Sequence, residues 1–197
     1  MRCLQIPSAA AQGCRDILLM SYGSGACSVN VCQEVVETLC KSSSRILELT
    51  TSIPGRPHIS CQDCTKSSND INSTSRAVIR DSFPLEIVLC CDRLSAGKIE
   101  EVLIHELIHA YDYSNNRCNF STCTGLAYSE IRAAREAECR GGFYPFRFMR
   151  DICVREKAIK STANLFSKSE ATTCVNAIFS EAMSDLEPLF LKTPREG

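Results

Sequence analysis

The segment Glu101-Val-Leu-Ile-His-Glu-Leu-Ile-His-Ala-Tyr111 contains two histidines four residues apart, with a glutamate directly after the first. Residues four apart lie on one face of a helix, about one turn apart, so His105 and His109 can reach the same ion. Two neutral imidazoles at this spacing, in the pattern HExxH, are typical of a zinc site. Glu106 would then lie beside the ion and act as the catalytic acid/base on a water molecule.

The residues around these histidines are uncharged, which predicts a helix buried on most of its sides. The protein has three histidines, and two of them are in this segment. Burying ionisable groups without partners costs free energy, so two structural core histidines are a poor explanation of the pattern. The flanking uncharged positions are Val102, Leu103, Ile104, Leu107, Ile108 and Ala110.

A third metal ligand is expected, because catalytic zinc normally has three protein ligands and one open position. Glu130 is the first candidate and lies on the next predicted helix. The small residues Ala133 and Ala134, three and four positions later, would let that helix approach the first closely. The thermolysin-like zincins, which this arrangement resembles, take their third ligand from a glutamate on a following helix.

Asp112 is the alternative third ligand, three residues beyond His109 on the same stripe of the helix. One helix face rarely supplies three ligands at tetrahedral angles. Asp112 is therefore interpreted as a carboxylate that orients a ligating histidine from outside the ligand set. A metzincin-type site is excluded, because it needs His or Asp where this chain has Asn115.

The length and charge of the chain limit the number of domains and the kinds of partner that it can be expected to have. The chain has 197 residues, with 22 basic and 23 acidic side chains and a net charge of −1. This predicts one folded domain over residues 26–197, after a poorly defined segment over residues 1–25. The balanced charge gives no reason to expect nucleic acid as a partner. No apolar run reaches the roughly 20 residues of a membrane helix, so we expect no transmembrane span and only peripheral membrane contact.

Cysteine is unusually frequent, with 14 residues in the chain. Only Cys61 and Cys64 have CxxC spacing, so repeated zinc-finger units are absent. Several disulfides in an oxidising compartment are the better interpretation. For Cys61 and Cys64 themselves, structural disulfides are favoured over a redox pair or a small zinc knuckle that includes His58.

Hydrophobic periodicity predicts an α+β fold with a small sheet, the active-site helix and a mostly helical C-terminal half. Residues 50–75, rich in Ser, Thr, Asn and Pro, are predicted to be a loop. The predicted helices cover residues 28–42, 98–113, 126–140, 148–166 and 170–186, and the predicted strands cover 76–80 and 85–91.

Two further predictions concern single features. The aromatic run over residues 143–148 is expected to pack in the core or in a loop. Arg132 is expected to pair with an acidic neighbour on the surface rather than to stabilise an oxyanion.

Several motifs agree in order with one known family. They are His105-Glu-Leu-Ile-His-Ala-Tyr-Asp112, Leu126-Ala-x-Ser-Glu-Ile-Arg-Ala133, Cys153-Val-Arg155, Asp185-Leu-Glu-Pro188, Ser60-Cys-x-x-Cys64 and Val88-Leu-Cys90. Over about His58 to Phe190 the chain resembles the mitochondrial inner-membrane HExxH metalloproteases that process an ATP synthase subunit, also called the Ku-binding protein family.

This resemblance implies a zincin-like, zinc-dependent endopeptidase of the intermembrane space, peripherally attached to the inner membrane. It implies zinc ligands at His105 and His109 and the catalytic acid/base at Glu106. The substrate would be a protein, such as an ATP synthase subunit precursor. The alternative is a non-proteolytic assembly factor or chaperone with a vestigial or secondary zinc site. Ser114 and Tyr128 stand where the family usually has cysteine, so its disulfide pairing is not transferred.

Overall fold

The computed structural model describes residues 25–65, 75–140 and 146–189. The predicted poorly defined segment over residues 1–25 lies, except for Gly25, outside the described residues. The chain divides into two compact units, residues 1–107 and 108–197, which are described separately below. The single domain expected over residues 26–197 stays a prediction.

Helices and a small sheet make up the described residues, which confirms the α+β class. The helices are α1 (Val29–Ser42), α2 (Ser44–Ser52), α3 (Ile99–Ser114), α4 (Cys123–Glu136), α5 (Arg147–Thr162) and α6 (Lys168–Ser184), and the strands are β1 (His58–Gln62), β2 (Ala77–Arg80) and β3 (Glu86–Cys90).

Helix α1 is the first helix in the described part of the first unit, and it buries one apolar face. The Ser28 side chain accepts a hydrogen bond from the Val31 amide and so caps the helix N-terminus. Helical spacing then places Val35, Val36 and Leu39 on the buried side. The structure confirms the helix predicted over residues 28–42 from this spacing.

The sheet of the first unit has the strand order β1-β3-β2. Strand β3 is central, and Ile87, Val88 and Leu89 have no exposed surface. Strand β1 pairs with it in parallel, with Ile59 opposite Ile87, and β2 pairs antiparallel. A strand covered on both faces is expected to be apolar, and after its first residue, Glu86, this one is.

The predicted loop over residues 50–75 is wrong in two parts, because residues 50–52 end helix α2 and β1 lies inside the range, while residues 66–74 lie outside the described residues. In β1, Ile59 and Cys61 are buried while their neighbours are more exposed. This two-residue alternation is the signature of a strand. It was obscured by the Ser, Thr, Asn and Pro residues on either side.

The second unit contains α4, α5 and α6 around one apolar cluster. Its centre is formed by Ile131, Val154, Val175 and Phe179, each less than 5 % exposed. Twelve residues of α4 are buried, so this helix runs through the middle of the unit. Thr122 caps it by accepting a hydrogen bond from the Gly125 amide. The three helices confirm those predicted over 126–140, 148–166 and 170–186, with boundaries shifted by a few residues.

The described residues contain four disulfides, which confirms the prediction of several disulfides. Cys61 and Cys64 bond to different partners rather than to each other, as structural disulfides do. The bonds are Cys32–Cys61, Cys64–Cys90, Cys123–Cys174 and Cys139–Cys153.

The prediction that the aromatic run over 143–148 packs in the core or in a loop is wrong for its described part. Phe146 and Phe148 begin helix α5 and are 61 % and 59 % exposed. Residues 143–145 lie outside the described residues. None of the helices in the described ranges is long and apolar enough to cross a membrane.

Candidate metal centre

Helix α3 carries the three residues of the HExxH pattern. It is continuous from Ile99 to Ser114, and its apolar side chains are buried around its circumference. His105, Glu106 and His109 are only half-buried, so they occupy the one side of the helix that is open to other groups. His105 and His109 lie one helical turn apart, as their spacing predicts.

Glu130 on helix α4 lies next to these histidines. Its Oε1 atom is 3.7 Å from His109 Nε2. The candidate ligand atoms of His105, His109 and Glu130 all lie within 4.8 Å of one another, forming a group that could hold a metal ion. The predicted close approach of α4 is supported by Ala133 and Ala134, which are buried with at most 1 % exposure.

The spacing of this group fits a small divalent cation. Zinc binds imidazole nitrogen and carboxylate oxygen at about 2.0–2.1 Å, so tetrahedral ligands are about 3.3 Å apart. The 3.7 Å between His109 and Glu130 is close to that value. Two imidazoles and one carboxylate are also a donor set that suits zinc.

Ser129 connects His109 to a buried carboxylate. The Ser129 hydroxyl donates to Asp112 Oδ2 at 2.8 Å and lies 2.8 Å from His109 Nδ1. Because its only proton is directed to Asp112, the hydroxyl oxygen must accept a hydrogen bond from Nδ1. His109 therefore carries its proton on Nδ1 and keeps the Nε2 lone pair on the side of Glu130.

Asp112 is occupied by other partners and lies outside the histidine–glutamate group. It has no exposed surface and accepts hydrogen bonds from Ser129 and from Arg132 Nε at 3.2 Å. Burial raises the pKa of the Asp112 carboxyl, and the Arg132 charge and the Ser129 hydrogen bond act in the opposite direction. This placement supports the orienting role over the alternative of a third ligand.

Arg132 pairs with acidic residues, as predicted, but it is fully buried rather than on the surface. Its guanidinium lies 3.1 Å from Asp112 and 2.6 Å from Asp185. A buried guanidinium needs such partners, because leaving it unpaired would cost several kcal/mol, on the order of its desolvation penalty. Arg132 thereby ties the carboxylate next to Ser129 to the end of helix α6.

Sequence reasoning missed Ser129 and Asp185. Ser129 is part of the motif Leu126-Ala-x-Ser-Glu-Ile-Arg-Ala133, but a lone serine has no diagnostic spacing and the motif gave it no role. Asp185 accepts hydrogen bonds from Arg117 and Tyr128 in addition to its ion pair with Arg132. Both residues lie in motifs shared with the family, but their roles are identified only by contacts that join separate helices.

Comparison with known proteins finds relatives that all carry the same name. The Schizosaccharomyces pombe mitochondrial inner membrane protease atp23 is 29 % identical over 175 residues, covering 80 % of this chain and 90 % of its own length. The Xenopus laevis mitochondrial inner membrane protease ATP23 homolog is 31 % identical over 142 residues, covering 66 % and 57 %. The Meyerozyma guilliermondii mitochondrial inner membrane protease ATP23 is 32 % identical over 114 residues, covering 52 % and 47 %.

The chain thus spans about half the length of the Xenopus and Meyerozyma relatives and most of the length of the Schizosaccharomyces relative. No solved structure matches it. A family profile, described as the Peptidase M76 family, matches residues 24–190. Since this range includes most of the sequence and both site helices, the chain belongs to the Peptidase M76 family.

Proposed function

We propose that this protein is a zinc-dependent endopeptidase with a zincin-like active site. The observation that carries the proposal is the group formed by His105, His109 and Glu130, with Glu106 next to it on α3, in a member of a peptidase family. His105, His109 and Glu130 would hold the ion. Zinc held there would supply Lewis-acid polarisation of a peptide carbonyl and would acidify water.

The residues of the chain then have separate tasks. Glu106 accepts the proton of the attacking water and returns it to the amine that leaves when the peptide bond breaks. Ser129 accepts the Nδ1 hydrogen of His109 and so keeps Nε2 available as a ligand. Asp112 and Arg132 hold Ser129 in this orientation from the buried side.

Support for a cellular role comes from the relatives, which are named mitochondrial inner membrane proteases. We propose that the protein works in the intermembrane space, peripherally attached to the inner membrane. Its substrate would be the precursor of an ATP synthase subunit. Four disulfides are consistent with an oxidising compartment of this kind.

The decisive test is the variant Glu106→Gln, purified with stoichiometric zinc and incubated with candidate precursors. The amide cannot accept the proton, so cleavage should fall by roughly 10²-fold or more while zinc content and thermal stability stay unchanged. Glu101→Gln is a matched control, because Glu101 is on the same helix and pairs with Lys98 at 2.8 Å. This control should cleave like the wild type.

Two outcomes would change the conclusion. Full zinc occupancy without cleavage of any candidate precursor by the wild type would remove the enzyme proposal. If cells with Glu106→Gln still assemble ATP synthase, an assembly function would be separate from proteolysis. That second outcome would favour the non-proteolytic factor as a parallel role.

A further inference from the structure

The N-terminal turns of helix α5 present an exposed apolar surface that the proposed chemistry does not use. We define the α5 patch as Phe146, Phe148, Met149 and Ile152. These side chains are 61 %, 59 %, 39 % and 50 % exposed. The rings of Phe146 and Phe148 stack with centroids 5.7 Å apart, so they form one continuous surface rather than two isolated contacts.

The patch is specific to one end of the helix. Further along α5, Val154 and Ala158 have no exposed surface and pack in the core of the second unit. An exposed leucine or phenylalanine on its own is normal in a soluble protein. Four large apolar side chains within seven residues are a contiguous patch, and such patches mark interaction sites.

Positive charge accompanies the patch. Helix α5 has five basic residues and two acidic ones in a chain whose net charge is −1. Two of the basic residues are used internally: Arg150 donates to the Arg135 carbonyl and Arg155 to Asn176. Arg147, between the two phenylalanines, is exposed, as are Lys157 and Lys160 further along.

We propose that the α5 patch docks on the surface of an anionic phospholipid bilayer. Aromatic and aliphatic side chains beside basic residues are the composition of helices that lie in the membrane interface. The rings and Ile152 would enter the boundary between headgroups and acyl chains. Arg147 would contact lipid phosphates, to which a polybasic helix is attracted at short range.

A bilayer fits these observations better than a protein partner. Most specific protein contacts need a shaped complement and paired hydrogen bonds across the surface. The α5 patch instead offers two stacked rings with the exposed Arg147 between them. Such a surface needs only an apolar layer beneath a negatively charged one. This inference rests on the proposed attachment to the inner membrane and identifies the surface that makes it.

The test is flotation of the full-length zinc-loaded protein with lipid vesicles. One set contains phosphatidylcholine mixed with the anionic lipid phosphatidylglycerol, and the other contains phosphatidylcholine alone. The wild type should float with the anionic vesicles, and more weakly with the neutral ones. The double variant Phe146→Ser/Phe148→Ser should lose about tenfold or more of its vesicle affinity, because the apolar contact is removed.

Matched variants separate the patch from general effects. Leu165→Ser removes an exposed apolar side chain, 73 % exposed, just beyond the other end of α5, and should bind vesicles like the wild type. Arg147→Glu should weaken binding to the anionic vesicles and leave binding to the neutral ones largely unchanged. Ile152→Ser gives a second, milder variant if the double variant is less stable.

Three results would overturn the inference. They are unchanged flotation of the double variant, an equal loss in Leu165→Ser, or wild-type self-association that the double variant abolishes. The last would show that the patch binds a second copy of the chain. Zinc content and cleavage of a soluble peptide should not change in any of these variants, so failure of the docking inference is distinguishable from failure of the proposed protease function.

Discussion

Among single residues, Glu130 and Asp112 were both possible third ligands, and their surroundings predict different effects of substitution. Glu130→Ala should reduce zinc affinity by a factor of 10² or more, roughly what loss of one of three protein ligands implies. Asp112→Asn should keep the metal, with an affinity lower by about 10-fold to 100-fold, as for residues that orient a ligand. Competition with a chelator measures both, and retention of full affinity by Glu130→Ala would contradict the assignment.

Ser129 provides a sharper test of the hydrogen bonds behind His109. Ser129→Ala removes the acceptor of the Nδ1 hydrogen and leaves His109 free to change tautomer. Zinc affinity should fall by about tenfold, within the range seen for such partners. Ser129→Thr keeps the hydroxyl and should have a zinc affinity close to that of the wild type. If alanine and threonine lower the affinity equally, packing rather than the hydrogen bond is responsible.

Much of the site was predictable at this scale, because the HExxH spacing and the helix period decide where His105 and His109 point. The proximity of Glu130 to them was expected from small residues on its helix. Ser129 could not be predicted, because a hydroxyl forms hydrogen bonds in most environments and its partner Asp112 is 17 positions earlier. The prediction that Arg132 lies at the surface rests on the usual exposure of charged residues. It fails because buried acidic partners allow this guanidinium to be buried.

At the level of helices and strands, the stability of the C-terminal end of helix α6 depends on the carboxylate of Asp185. Burial raises the pKa of Asp185, but hydrogen bonds from Tyr128 and Arg117 and the charge of Arg132 outweigh it and lower the pKa to about 2. A lowered folded-state pKa adds stability that is complete above the unfolded value of about 4 and is lost as the pH falls towards 2. This carboxylate should account for roughly 2 kcal/mol of the free energy of unfolding across that interval.

Urea unfolding at pH 5 and at pH 2.5 tests this expectation. Asp185→Asn should be less stable than the wild type at pH 5, and the difference should shrink at pH 2.5. Glu181→Gln changes an exposed carboxylate in the same helix and is the matched control. A difference between Asp185→Asn and wild type that stays constant with pH would show that the effect is not due to ionisation.

The helices were predicted best where the hydrophobic periodicity extends over many residues without interruption, as in α1 and in the C-terminal helices. Strand β1 was missed because five residues are too few to show a period against a Ser-rich and Pro-rich background. Its formation depends on pairing with β3 and on the Cys32–Cys61 bond, neither of which is local in sequence. Whether the aromatic run is buried or exposed also depends on tertiary packing, because a phenylalanine at the start of a helix can lie either in the core or at the surface.

In the molecule as a whole, each disulfide should stabilise the fold more when it closes a longer loop, with a logarithmic dependence on loop length. Cys123–Cys174 spans 51 residues and Cys139–Cys153 spans 14. Loop entropy predicts losses of about 4 and about 3 kcal/mol when each is replaced by a pair of serines. Guanidinium unfolding of Cys123→Ser/Cys174→Ser and Cys139→Ser/Cys153→Ser measures both. Equal losses would mean that native packing, and not the loop, dominates.

The positions of these four bonds have a consequence for how the chain matures. Each bond joins cysteines within residues 1–107 or within residues 108–197. The eight cysteines that form these bonds have about a hundred ways to pair with one another when they are oxidised together, but only about three within each set of four. A chain that enters an oxidising compartment from its N-terminus can therefore complete its first two cystines before the cysteines of the second set arrive, which prevents pairing between the two sets.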